Sequence, residues 1–237
     1  MIAPFRDRFK RRLDTRTRLL AERAVVRTSG APLIPGNAVR LLKDAAVATD
    51  DNKKAALFGE ASELLIEKGD FRQAMVAARQ GERANPTQKQ CLTSIAEAQI
   101  SEGKVDEANT TLKDVLQKHA GYGRAHFVQG NLSASRGDLG SALKSYAMAD
   151  KLKFTDVRLY LNAGGVNLKA KKSRDAAKSY ARAIAEYPDV AEGYLGAGIA
   201  ARADNKKADA KKHFEKFLTL SPNASQADRV RAWLKNL

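Results

Sequence analysis

One residue type recurs along most of the chain at a fixed spacing of 34 residues. Five alanines hold this register without a slip: Ala74, Ala108, Ala142, Ala176 and Ala210. Self-similarity at a fixed period of this length indicates tandem copies of one small structural unit. Such a unit cannot bury its apolar face alone, so the copies must stack against one another.

Two further sets of residues follow the same register. Twelve positions before each alanine stands a small residue: Ser62, Ala96, Gly130, Gly164 and Gly198. Four positions after each alanine, three of the five residues are aromatic: Ala78, Leu112, Tyr146, Tyr180 and Phe214. Gly69, Gly103 and Gly137 mark a turn in mid-unit, since glycine readily ends a helix. The pattern predicts two antiparallel helices per unit, with the small residues and the alanines at their closest approach.

In period and in residue pattern these units resemble the tetratricopeptide repeat (TPR) family. The resemblance covers residues 55–88, 89–122, 123–156, 157–190 and 191–224. It implies an all-α fold, a right-handed α-solenoid of helix-turn-helix repeats with a C-terminal capping helix. The related pentatricopeptide repeats usually run at 35 residues, so the fixed period of 34 argues against them. Two departures stand out: Ala78 and Gly81 predict loose packing in the first repeat, and Lys171 replaces a turn glycine.

The flanking segments complete the predicted domain organisation. Residues 1–30 form a basic amphipathic N-terminal segment, and residues 31–54 form a linker and an entry helix, or a degenerate repeat. The five TPR repeats span 55–224. Residues 225–237 are predicted to form the capping helix, in which Val230, Trp233 and Leu234 cover the last repeat.

The sequence contains no pattern typical of an enzyme. Its three histidines, His119, His126 and His213, form no metal-binding motif, and the single cysteine, Cys91, excludes a disulfide. We expect Cys91 to be half-buried and unreactive. No glycine-rich phosphate loop is present, because Gly164 belongs to the repeat pattern. We therefore expect a non-enzymatic protein without a cofactor or a metal ion.

The resemblance implies that a peptide segment of another protein binds along the concave surface formed by the first helix of each repeat. In the first two repeats this surface is expected to include Glu60, Glu63, Glu67 and Glu97. In the last three it is expected to include Arg124, Asn131, Arg158, Asn162, Lys169 and Arg202. Asn131 and Asn162 match the asparagines of TPR domains that clamp a C-terminal carboxylate, but the flanking cations of that clamp are missing. Binding to the main chain of an extended peptide stays open, since an amide both donates and accepts.

The charge of the chain indicates an anionic partner. Lys and Arg number 42 against 27 Asp and Glu, which is a net charge of +15, and the excess lies in residues 1–50 and 123–237. An acidic or extended protein segment is favoured over nucleic acid, because no aromatic residues alternate with the basic ones as stacking platforms. An anionic membrane surface is a further partner, through residues 1–30.

The N-terminal segment is predicted to dock as an amphipathic helix. Its apolar residues recur at four-residue spacing among arginines, and the docking residues are Phe5, Arg8, Phe9, Arg12, Leu13 and Arg16. A partner-binding arm, a membrane anchor, a cap on the chain's own repeats and a transit peptide remain alternatives.

These features together favour a scaffold or adaptor that holds a protein partner in its groove and helps to assemble a larger complex. The alternative is a basic peripheral nucleic-acid-binding or ribonucleoprotein subunit, which a steep salt dependence of nucleic-acid affinity would indicate. The expected location is the cytoplasm, with the inner face of a membrane as the alternative.

Overall fold

The computed structural model describes residues 36–237, and this part of the chain contains twelve α-helices and no β-strand. The helices are α1 (Gly36–Val47), α2 (Asp51–Glu67), α3 (Phe71–Ala84), α4 (Lys89–Ser101), α5 (Val105–Lys118), α6 (Gly123–Ser135), α7 (Leu139–Lys151), α8 (Val157–Lys169), α9 (Ser173–Glu186), α10 (Ala191–Ala203), α11 (Lys207–Leu220) and α12 (Ala227–Lys235). From residue 36 onward, no helix combines the length and the apolar character that crossing a bilayer requires.

Each 34-residue repeat contributes one helical hairpin. The first helices are α2, α4, α6, α8 and α10, and the second helices are α3, α5, α7, α9 and α11. Within each of the two halves of the array, neighbouring hairpins pack on one another, as in the contact of α2 with α4 and of α8 with α10. The predicted all-α solenoid of TPR helix-turn-helix repeats is confirmed.

The chain divides into two compact units, which meet in sequence between Ala120 and Gly121. The described part of the first unit holds α1 to α5. In its core, Ala38 and Ala45 of α1 lie against Phe58 and Leu65 of α2. The second unit holds α6 to α12 and contains the last three repeats with the terminal helix.

The turn inside each hairpin has a left-handed residue in all five repeats. Gly69, Gly103 and Gly137 have φ of +77°, and the equivalent Lys171 and Asn205 have φ of +58° and +59°. Glycine adopts this conformation without a steric penalty, whereas a residue with a Cβ does so at a cost. The positive φ of Lys171 shows that the turn keeps its geometry without glycine, at that steric cost.

The predicted contact between small residues and alanines is only partly right. The five alanines in register are completely buried, as a core position requires. The glycines on the first helices, however, lie against the aromatic rings of the second helices. A Cβ on Gly130 would overlap the ring of Tyr146, and a Cβ on Gly164 would come within 2.6 Å of the ring of Tyr180. A large ring on the second helix leaves room for the backbone of the first helix but not for a side chain. Repeats with tyrosine at the one position therefore have glycine at the other.

The first repeat is not loosely packed, contrary to the sequence prediction. Gly81 is buried, and a Cβ there would overlap Sγ of Cys91, which arrives from the second repeat. Cys91 is completely buried rather than half-buried, and its thiol donates a hydrogen bond to the carbonyl of Ala55 at 3.3 Å. The cysteine thus fills the space that the small residue leaves.

The terminal helix α12 covers the last hairpin as expected. Val230 is completely buried against α11, and the ring of Trp233 lies 5.4 Å from that of Phe214. This contact shields the apolar face that a further repeat would otherwise cover.

Candidate functional site

Two asparagines from successive repeats are joined on the first helices of the second unit. Nδ2 of Asn162 on α8 donates a hydrogen bond to Oδ1 of Asn131 on α6 at 2.9 Å. The hydroxyl of Tyr146 on α7 donates to the same oxygen at 2.8 Å. Both asparagines are half-buried, whereas Tyr146 is buried, with 3% of its surface exposed. The three side chains form one polar network, which we call the amide pair after Asn131 and Asn162.

The network determines which amide atoms are available to a ligand. Burial raises the pKa of Tyr146, so its hydroxyl is protonated at neutral pH and can donate. Oδ1 of Asn131 therefore faces two donors, and Nδ2 of Asn131 and Oδ1 of Asn162 make no hydrogen bond to any described residue. One free donor next to one free acceptor matches the C=O and N–H of an extended main chain.

Sequence reasoning placed Tyr146 in the packing core and missed its polar role. The position has aromatic residues in three repeats, and Phe214 shows that packing alone needs no hydroxyl. Tyrosine rather than phenylalanine at this position was the sequence feature that could have indicated the polar role. Only the structure reveals that its hydroxyl reaches Asn131 across the hairpin.

The two arginines predicted beside the amide pair are not solvent-facing cations. Arg124 has only 5% of its surface exposed and lies in the first turn of α6 between the buried Gly123 and Ala125. Arg158 donates to the carboxylate of Asp156 at 2.9 Å, and its guanidinium stands 5.4 Å from the centre of the Phe127 ring. Both side chains are therefore held by the fold, which lowers their availability to an acidic ligand.

The remaining two predicted cations differ from each other. Lys169 at the end of α8 is exposed and has no ion pair within the described residues. Arg202 is also exposed, but its guanidinium lies 5.0 Å from the centre of the Trp233 ring on the terminal helix. Within residues 36–237, the structure thus brings Asn131 and Asn162 together. Of the four basic residues, Lys169 has no ion pair, hydrogen bond or ring contact with another described side chain.

The acidic side chains predicted to line the concave surface of the first unit also differ in their exposure to solvent. Glu60 and Glu67 on α2 are exposed, whereas Glu97 on α4 has only 6% of its surface exposed. Of these three, only the first two are therefore open to a cationic ligand.

A metal site and a reactive cysteine have little support in residues 36–237. No group of three or more His, Cys, Asp and Glu side chains there is arranged to hold a metal ion. Burial, aided by Glu63 and Glu82, raises the pKa of Cys91 to about 12, so the thiol is not a nucleophile at neutral pH. The docking residues Phe5, Arg8, Phe9, Arg12, Leu13 and Arg16 lie outside the described residues, so their role stays a prediction.

Comparison with solved structures supports the fold. A thermophilic TPR protein of Thermus thermophilus has a TM-score of 0.63 at 18% identity, covering 77% of this chain and 100% of its own. Residues from 41 to the end of MamA from Desulfovibrio magneticus have a TM-score of 0.56 at 17% identity, covering 72% and 97%. YrrB, a TPR protein with an unusual peptide-binding site, has a TM-score of 0.55 at 14% identity, covering 84% and 100%.

Sequence comparison supplies the family. Among curated proteins, no sequence matches this chain significantly. The sequence profile of the tetratricopeptide repeat, in contrast, matches residues 93–153 and 162–233, which together are more than half of the chain. Repeats of this type mediate contacts between proteins, and the proteins that carry them are generally not enzymes. The chain belongs to the tetratricopeptide repeat family.

Proposed function

We propose that this protein is a non-enzymatic scaffold or adaptor that binds an extended segment of a partner protein at the amide pair and helps to assemble a larger complex. The observation that carries the proposal is the free donor of Asn131 beside the free acceptor of Asn162. The cytoplasm is the location that we propose for this activity.

The fixed orientation of the two amides favours main-chain binding. An isolated asparagine can rotate its amide and present either atom, whereas Asn131 is held by two donors. A site whose polar atoms are oriented before binding loses less conformational entropy when the ligand arrives. Because the main chain is common to all peptides, side-chain selectivity has to come from residues around the pair.

The positive charge around the amide pair supports selectivity for ligands with acidic side chains. Residues 123–237 carry 21 basic and 11 acidic side chains, and Lys169 at the end of α8 is exposed. Arg158 contacts Asp156 and Arg202 contacts Trp233 within the chain itself. Their charges therefore act on a ligand through the overall electrostatic field rather than through direct pairing. The preferred ligand is therefore an extended segment with acidic side chains.

The test is selection of linear peptides on the immobilised full-length chain, followed by calorimetric titration of the selected peptides. Asn131→Ala combined with Asn162→Ala removes the donor and the acceptor. We expect Kd to rise about tenfold, since a hydrogen bond typically contributes about 0.5–1.5 kcal/mol net. Asn223→Ala is the matched control, because Asn223 is an exposed asparagine in the loop before α12. An unchanged Kd in the double variant places the binding surface elsewhere.

A further inference from the structure

The first helices of the first unit, α2 and α4, carry acidic side chains and almost no basic ones. No Lys or Arg occurs in residues 55–67 of α2 or in residues 90–101 of α4. The glutamates of α2 are three and four residues apart, so they lie on one side of the helix. We call the sides of α2 and α4 that carry the following four glutamates the acidic face: Glu60, Glu63, Glu67 and Glu97.

The two helices of the acidic face act on each other electrostatically. They pack together, and a Cβ on Gly59 of α2 would lie 2.9 Å from Cβ of Gln90 on α4. The negative charge of Glu63 adds to burial in raising the pKa of Cys91 on α4. The charge of α2 therefore reaches α4, and a cation placed between the two helices would be stabilised by both.

The helix α4 is buried on every side. All nine residues from Cys91 to Gln99 are buried, and nine residues span more than two helical turns. Thr93 and Ser94 are completely buried, and Glu97 has 6% of its surface exposed. In α8 the three equivalent residues are only half-buried: Leu161, Asn162 and Gly165. The side of α4 that carries Glu97 is therefore covered more completely than the same side of α8.

The hydroxyl of Ser94 has no hydrogen-bond partner among the described residues, although it is completely buried. A buried polar atom without a partner is unfavourable, and native proteins contain few of them. Ser94 stands three residues before Glu97, so both lie on the same side of α4. The hydroxyl therefore offers a donor and an acceptor to a group that covers the acidic face.

The N-terminal segment of the same chain matches the acidic face in charge and in pattern. Residues 1–30 carry nine basic and three acidic side chains, which is a net charge of +6. Phe5, Phe9 and Leu13 recur at four-residue spacing among the arginines, which predicts a helix with an apolar stripe. Such a helix excludes water from a covered surface, while the arginines beside the stripe pair with carboxylates.

The connection along the chain keeps this segment near the acidic face. The described residues begin at Gly36 with α1, which packs against α2. Residues 28–35 join the segment to α1, and eight residues extend over at most about 29 Å. A short connection of this kind gives an effective concentration on the order of millimolar. A weak attraction is therefore enough for the segment to bind within its own chain.

From the burial, the charge and the connection, we propose that residues 3–27 dock on the acidic face of their own chain as an amphipathic helix. Their arginines pair with the glutamates of this face, and one polar group of the segment bonds to the hydroxyl of Ser94. The docked segment keeps basic segments of other proteins away from the first unit. The proposal does not depend on the amide pair, which belongs to α6 and α8.

The experiment uses the full-length chain labelled with ¹⁵N and with a nitroxide that is attached through Thr15→Cys. Cys91 is completely buried and does not take the label under native conditions. We expect strong paramagnetic broadening of the backbone amide signals of α2 and α4, relative to the same sample with the nitroxide reduced. A second sample mixes nitroxide-carrying chains without ¹⁵N and ¹⁵N-labelled chains without nitroxide. No broadening is expected there, because the docking is within one chain.

Two double variants make the result specific to the acidic face. Glu60→Gln combined with Glu67→Gln removes two exposed charges of α2 and keeps the helix propensity. We expect the docking equilibrium constant to fall about two- to thirtyfold, since each exposed ion pair contributes only modestly. Glu192→Gln combined with Glu215→Gln is the matched control, because it removes two exposed charges from α10 and α11. The control should keep the broadening of α2 and α4.

Several results would overturn the proposal. Broadening in the mixed sample would make a second copy of the chain the occupant of the acidic face. Unchanged broadening after Glu60→Gln and Glu67→Gln, or an equal loss in the control, would show that these charges do not hold the segment. Absence of broadening in α2 and α4 of the unmodified face would leave residues 3–27 to a partner protein or an anionic membrane.

Discussion

Asn162 donates its amide to Asn131 across 2.9 Å, although the two residues are 31 positions apart and belong to different repeats. The bond works together with that from Tyr146, because both end on the same oxygen of Asn131. Together they hold one amide edge of each asparagine toward a ligand. The proposed peptide-binding function depends on this arrangement.

Tyr146→Phe removes one donor from Oδ1 of Asn131 and keeps the aromatic ring against Gly130. We expect the free energy of unfolding to fall by about 0.5–1.5 kcal/mol, as for the loss of a typical hydrogen bond. Urea denaturation monitored by circular dichroism measures this change. Affinity for the selected peptides should also fall, since Asn131 is then less firmly oriented. A variant with unchanged stability and unchanged affinity contradicts this account of the network.

Gly164→Ala places a Cβ within 2.6–2.8 Å of three atoms of the Tyr180 ring. Because Gly196 holds the same ring from the next repeat, the ring has little room to move. We expect a destabilisation of about 1–3 kcal/mol, typical of overpacking. Gly165→Ala is the matched control on the same helix, since its Cβ would meet only the Tyr180 hydroxyl at 3.8 Å. The control should gain stability through the higher helix propensity of alanine, and equal losses in both variants refute the argument.

Ala142→Leu and Ala176→Leu test the register of the repeats. Both alanines are completely buried, so each added side chain must displace its neighbours, at a cost of about 1–3 kcal/mol. Ala185→Leu lies on the exposed side of α9 and should change the free energy of unfolding little. Thermal denaturation of the three variants compares them. Melting temperatures equal to that of the unmodified chain at both buried positions would show that the register is wrong.

His213 is expected to make stability depend on pH. Partial burial on α11 lowers its pKa, with Asp209 opposing the shift and Lys212 adding to it, and the ring of Tyr194 lies 6.3 Å away. The unfolded state therefore binds a proton near pH 6.5 that the native state binds only at lower pH. The free energy of unfolding should fall as the pH drops below about 6.5. His213→Gln should weaken this dependence in urea titrations at several pH values, and an identical pH profile in the variant contradicts it.

Cys91 should be inert in the native protein. Its pKa of about 12 leaves almost no thiolate at about pH 8, and the side chain is completely buried. We expect no reaction with 5,5′-dithiobis(2-nitrobenzoic acid) under native conditions and rapid reaction of one thiol in denaturant. Rapid labelling of the native chain would show that the first repeat is loosely packed after all.

Much of the fold can be predicted from the sequence because its determinants are local or periodic. The alanine register predicts five buried positions, and the turn residues around Gly69, Gly103 and Gly137 predict where the first helix of a hairpin ends. The sequence pattern places the glycines of the first helices beside the alanines, whereas in the structure they lie against aromatic rings. Their contact with aromatic rings depends on side-chain volumes across the hairpin, as between Gly130 and Tyr146.

The candidate site was predictable only in part. The repeat positions of Asn131 and Asn162 indicated that they share a face, but the availability of each cation depended on its neighbours. Arg158 is paired with Asp156, and Arg202 stacks on Trp233. An arginine side chain is long enough to reach several partners, so its sequence position does not determine which of them it contacts.

The all-α repeat architecture follows from the order of amino acids, because helix periodicity and turn residues act locally and the 34-residue period repeats them along the chain. Which polar groups remain open to a ligand depends on contacts between helices. Asn131 is oriented by Tyr146 and Asn162, whereas Arg158 is paired with Asp156. A hydrogen bond is made or lost within a few tenths of an ångström, and the distance between packed helices sets that margin.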